Sequence, residues 1–118
     1  KLHKAFGVKW GGTIVVAYKD TIYHAKPITH DVVVHESVHL ARQGKDPDGW
    51  YESYIRNKEF RFKDELLAYH EQYRFLKATV KDRNELARYL FGLASGLSGK
   101  MYGNMVSQSE ARRLISME

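Results

Sequence analysis

The stretch Asp31-Val32-Val33-Val34-His35-Glu36-Ser37-Val38-His39-Leu40-Ala41-Arg42-Gln43-Gly44 decides how the rest of the chain is read. Within it, His35-Glu36-Ser37-Val38-His39 is a His-Glu-x-x-His run. Two imidazoles four residues apart on a helix point the same way and reach one Zn²⁺, while the glutamate between them stands beside the ion without binding it. With 6 histidines among 118 residues, such a triple is expected roughly 0.02 times by chance in this composition, so the pattern carries information. Val32, Val33, Val34, Val38, Leu40 and Ala41 surround the motif, which predicts a largely buried helix. Buried His and Glu without partners are costly, and one metal ion satisfies all three. The bland alternative is a helix with two solvated or hydrogen-bonded histidines.

The helix is expected over residues 30 to 43, entered through Thr29 or Asp31 as cap after Pro27 and stopped at Gly44. Before it, Thr13-Ile14-Val15-Val16-Ala17-Tyr18 and Thr21-Ile22-Tyr23-His24-Ala25 are β-branched and aromatic. The two-residue link Lys19-Asp20 predicts a hairpin. Residues 4 to 10 are a candidate third strand, turning at Gly11-Gly12. After the helix, Lys45-Asp46-Pro47-Asp48-Gly49-Trp50 reads as the start of a loop through Tyr54 or beyond, a candidate wall of a cleft. Leu66, Tyr69, Tyr73, Leu76 and Val80 form one helical stripe. Asp82 with Glu85, and Ser107 with Glu110, are capping boxes for two more helices. The expected fold class is α+β: a small N-terminal antiparallel sheet or hairpin, the metal helix, then about three further helices in one domain over 1–118.

Composition narrows the chemistry. There is no cysteine, so any metal is held by His and carboxylate. No apolar run approaches the ~20 residues of a membrane span, and the N-terminus lacks the layout of a secretory signal, so a cytoplasmic, soluble protein is the expectation. The net charge of +5 is spread among acidic residues, as in Lys58-Glu59-Phe60-Arg61-Phe62-Lys63-Asp64-Glu65, and no nucleic-acid-binding motif accompanies it.

A catalytic zinc site takes three protein ligands and leaves one position for water. Candidates for the third ligand are Glu52, Glu59, Asp64, Glu65, His70 and Glu71. Glu65 borders the apolar stripe and is expected to face the first helix, with His70 next, while Asp64 and Glu71 are expected to project elsewhere.

His35 to His39 followed by Glu65-Leu66-Leu67-Ala68 resembles the gluzincins, zinc metallopeptidases with His-Glu-x-x-His on one helix and a Glu ligand, often in Glu-x-x-Ala, on a later one. The first half of this match is specific, and the second is common in such a composition. The chain's brevity resembles minimal gluzincins of the kind predicted as small peptidases in bacteria and phages. The resemblance implies a zincin-like fold, a protein or peptide substrate, His35, His39 and Glu65 as zinc ligands, and Glu36 as general base and then acid. Where gluzincins often carry an Asp four residues after the ligand Glu, this chain has Tyr69, leaving its phenol oxygen or a backbone carbonyl to accept a zinc histidine's N–H. Tyr51, Tyr54, His70 and Tyr102 are candidate oxyanion donors. Two other readings stand beside hydrolysis: a zinc-binding interaction domain that does not cleave, and a basic nucleic-acid-binding module.

Overall fold

A computed structural model describes residues 8–10 and 13–117, with the backbone alone for 8–10 and 13. Three antiparallel strands, β1 (Val8–Trp10), β2 (Thr13–Tyr18) and β3 (Thr21–His24), lie in the order β1-β2-β3. The β2–β3 register pairs Tyr18 with Thr21 across Lys19-Asp20, as a two-residue hairpin demands. Lys19 supplies the turn by adopting φ +59°, and its N–H donates to Gln43 Oε1 at 2.9 Å. Val15, Val16 and Ala17 are buried in succession, whereas β3 is mostly exposed. The expected strand over residues 4 to 10 is observed at 8–10; residues 4–7 and the Gly11-Gly12 turn lie outside the described residues.

Five α-helices follow: α1 (His30–Gln43), α2 (Pro47–Arg56), α3 (Lys58–Thr79), α4 (Arg83–Leu97) and α5 (Gln108–Ser116), with a 3-10 turn at Lys100–Tyr102. The α+β class is as expected, but the segment read as a loop from residue 45 is the helix α2. Asp46 caps it by accepting from Gly49 N at 3.0 Å, and Pro47 sits at the first helical position, where a missing N–H costs nothing. What resembled a turn cluster is a helix start. Asn57 then closes α2 and caps α3, accepting from Phe60 N at 3.0 Å, so the junction is a single residue. The Asp82 and Ser107 caps hold as expected, each accepting N–H groups of its helix.

α3 is the spine. α1 packs on one side of it and against β2, α2 wedges against both helices, and α4 and α5 pack on each other and on α3. Leu76, Leu93, Leu97, Ala111 and Ile115 fill the core where the last three helices meet, and Trp50, Tyr51, Tyr54, Tyr69 and Tyr102 continue it towards α1. Burial on α1 inverts the expectation. Val33 and Ala41 are exposed and Val34, Val38 and Leu40 half-buried, whereas the buried stripe is Val32, His35, Glu36, His39 and Gln43. The helix turns its polar face inward. Among the described residues no helix is long and apolar enough to cross a membrane.

Candidate metal centre

The buried polar face of α1 meets its counterpart on α3: Asp64, Glu65 and Gln72 are 0–1% exposed, and His35, Glu36 and His39 no more than 3%. His35 Nε2 stands 2.9 Å from Glu65 Oε1, and His39 Nε2 3.1 Å from Oε2 of the same carboxylate. One donor atom from each of His35, His39 and Glu65 lies within 4.8 Å of the others, the one such cluster among the described residues. Donors bonded to zinc at about 2.0–2.2 Å in a tetrahedron stand ~3.3–3.6 Å apart, a spacing that lies inside the 4.8 Å envelope of these three donor atoms, so side-chain adjustment lets them close on one ion. The buried His39 Nε2 supports that fit: despite its distance to Glu65 it makes no hydrogen bond of acceptable geometry. An ion between the three side chains takes this nitrogen's lone pair in a geometry the Glu65 ion pair does not satisfy.

Both imidazoles are held from behind. Gln72 Nε2 donates to Asp31 Oδ2 at 2.8 Å, which fixes the amide's orientation and leaves its Oε1 to accept from His35 Nδ1 at 2.9 Å. The hydrogen therefore stays on Nδ1, and Nε2 is the nitrogen presented to the centre. Asp31 belongs to the first turn of α1 and also accepts from Thr29 Oγ1, so α1 anchors the residue that orients its own histidine. Asp64 plays the parallel part for His39, with Oδ2 3.4 Å from Nδ1 and Oδ1 accepting from Arg42 Nε at 2.8 Å. Two expectations are corrected here. Asp64 projects into the site rather than away from it, because His39 and Arg42 on α1 give its buried carboxylate polar partners. The N–H acceptor for His35 is Gln72, two turns beyond Glu65, while Tyr69 packs its ring edge-on against His35 at 4.6 Å. The signal for Gln72 was its spacing: residues 65, 69, 72 and 76 share one face of α3.

Charges in the centre are tightly coupled. Burial works against an imidazolium at His39, but the carboxylates of Glu65, Asp64 and Glu36 outweigh it and raise His39 to about 10. Burial likewise opposes ionisation of Glu65, yet the two imidazoles hold its carboxyl well below the usual range. Glu36 stands outside the converging donors, and its charge bears on His39, Tyr51, Tyr54 and Tyr69. Tyr54 Oη donates to Glu65 Oε2 at 2.5 Å, and burial with that carboxylate pushes the phenol well up, so it remains a donor. Tyr51 instead donates to Ala17 O and ties α2 to β2. Trp50 stacks on Tyr54 at 5.0 Å and leans on His39 at 5.5 Å, making α2 the wall beside the centre.

Other sequence candidates fall elsewhere. His70 donates from Nδ1 to Ile115 O at 2.9 Å on the opposite face of α3. Glu52 and Glu59 are exposed, and Glu71 pairs with Arg74. Tyr102 is buried beside Tyr69, and burial, with the Glu65 carboxylate nearby, pushes its phenol well above the ordinary range. A cleft of about 1060 Å³ opens between the β3–α1 connection, α4 and the 3-10 turn, and it ends against Val32, Tyr69, Gln72 and Tyr102. One layer of side chains separates it from His35.

Fold and site together define an α+β chain with a buried two-histidine, one-glutamate centre suited to a divalent metal. Comparison with known protein families, curated proteins and solved structures gives no match.

Proposed function

We propose that this chain is a zinc-dependent peptidase of gluzincin type, hydrolysing protein or peptide amides with His35, His39 and Glu65 as ligands and Glu36 as proton carrier. The observation that carries the reading is the convergence of those three donors while Glu36 is buried alongside without joining them. A set of three protein ligands is the catalytic pattern, whereas structural zinc sites are closed by four. When bound, zinc supplies a Lewis acid and lowers the pKa of a water from 15.7 to about 7. Glu36 takes a proton from the attacking water and delivers it to the departing amine as the C–N bond breaks, leaving a carboxylate on the acyl fragment. Gln72 and Asp64 keep the imidazoles in register, and Tyr54 holds one oxygen of Glu65.

The near-complete burial of the centre favours one other reading, a zinc-binding interaction domain that does not cleave. Glu36→Gln separates the two. With zinc content unchanged, peptidase action requires that cleavage of a peptide library fall by at least about 10²-fold. Cleavage undiminished in the variant refutes Glu36 as base, and absence of cleavage by zinc-loaded wild type leaves the interaction domain.

A further inference from the structure

The three metal donors are shut in. His35, His39 and Glu65 are almost wholly buried, so entry of an ion or a substrate needs part of the surround to move. Of the elements around the centre, α1 and α3 carry the donors, and β2 is held between two neighbouring strands. On the far side Tyr69 packs against His35 and is itself backed by Tyr102. Helix α2 differs from all of these. It is ten residues long and contributes none of the three donors, yet it lays two rings on them, Trp50 against His39 and Tyr54 against Glu65. Its outer face, Glu52, Ser53, Ile55 and Arg56, is exposed. At one end the chain passes through Gly44, at φ +57° where only glycine is unstrained, and at the other through Asn57, the single residue before α3.

Two observations mark the seated position of α2 as one the fold can leave. The indole N–H of Trp50 is buried without a hydrogen-bond partner, and so is Nε of Arg61, whose guanidinium lies 5.8 Å from the centre of the Tyr54 ring. Buried donors left unpaired cost free energy, and that cost is relieved when water reaches them. The ties from α2 to β2 are also few and polar: Tyr18 Oη donates to Asp48 Oδ1 at 2.5 Å in an exposed bond, and Tyr51 donates to Ala17 O. We propose that α2 is a gate over the metal centre, which pivots at Gly44 and Asn57, releases its two bonds to β2, and lifts Trp50 and Tyr54 off His39 and Glu65. Admission of the ion needs only the gate. Admission of a peptide rests, in addition, on the peptidase reading.

The chain has no cysteine, so Tyr18→Cys with Asp48→Cys creates one pair of thiols that a short bismaleimide bridges, pinning α2 to β2. The measurement is the rate at which excess EDTA strips zinc from loaded protein. The bridged form is expected to release zinc at least about tenfold more slowly than the same protein with each thiol capped by N-ethylmaleimide, because local opening is then blocked. Tyr18→Phe is a second variant, which removes only the outer bond. It is expected to release zinc roughly two- to tenfold faster, with equilibrium affinity within about twofold of wild type because capture quickens in step. Release at one rate with and without the bridge overturns the inference. So does a Tyr18→Phe protein whose affinity falls as far as its release quickens, the mark of a merely loosened fold. If wild type cleaves peptides and the bridged form cleaves them as fast, the gate falls and hydrolysis stands. If the bridge slows zinc release and no form cleaves, the gate stands and hydrolysis falls.

Discussion

Replacing Gln72 with methionine tests the assignment of how His35 is held. The substitution roughly conserves volume but removes the Oε1 acceptor 2.9 Å from His35 Nδ1 and the link to Asp31. Gln72 is completely buried, so no bulk water takes the acceptor's place. A neutral hydrogen bond contributes about 0.5–1.5 kcal/mol. Here it also keeps the hydrogen on Nδ1 and the Nε2 lone pair available, and loss of such outer partners typically weakens metal binding by about 10–100-fold, or ~1.4–2.7 kcal/mol. With no solvent replacement, the upper half of that range is expected. The assay is zinc competition against a chromogenic chelator at fixed neutral pH. Asp31→Asn serves as an intermediate case, because an asparagine lets the Gln72 amide turn over without removing it. A zinc affinity for Gln72→Met within about twofold of wild type, the span of an ordinary surface substitution, would refute the reasoning.

Three further outcomes follow from the same geometry. Glu65→Ala should lose at least about tenfold in zinc affinity, whereas Glu71→Ala, altering a solvent-facing pair with Arg74, should leave a chelator titration unchanged. In metal-free protein His39 is raised from 6.5 to about 10, so its imidazolium stabilises the fold fully below pH 6.5 and progressively less as pH climbs towards 10. Urea midpoints in chelator should fall across that window, and zinc affinity should rise across it as the competing proton leaves. Gly49→Ala should cost up to about 1 kcal/mol net, because the new Cβ meets the capping Asp46 carboxylate at 2.1 Å and displaces the cap, a loss that the alanine's helix propensity only partly offsets. In an Asp46→Ala background the same change should turn stabilising by up to about 1 kcal/mol through helix propensity, measured by denaturant melts.

Much of the site was legible because the motif dictates its own helix. The spacing of His35 and His39 requires one helical face, and Gly44 at φ +57° ends that helix where the sequence places the stop. Glu65 was legible from its place beside an apolar stripe. What escaped notice depends on three-dimensional phase. The valines around the motif suggested an apolar burial pattern, but α1 buries its histidines and Glu36 because Asp64, Glu65 and Gln72 on α3 compensate them, and partners 22 to 41 residues away leave no local periodic signal. Helix α2 was hidden by Pro47, Asp48 and Gly49, residues shared by turns and helix starts. Its buried face, Trp50, Tyr51 and Tyr54, carried the one helical cue in that stretch.

The most direct test of the metal centre is X-ray absorption at the zinc edge on protein loaded with the metal, with stoichiometry measured on the same sample. The account predicts one equivalent of zinc with two imidazole nitrogens and a carboxylate oxygen at about 2.0–2.2 Å. Failure to retain zinc, or a spectrum without two imidazole scatterers, contradicts it.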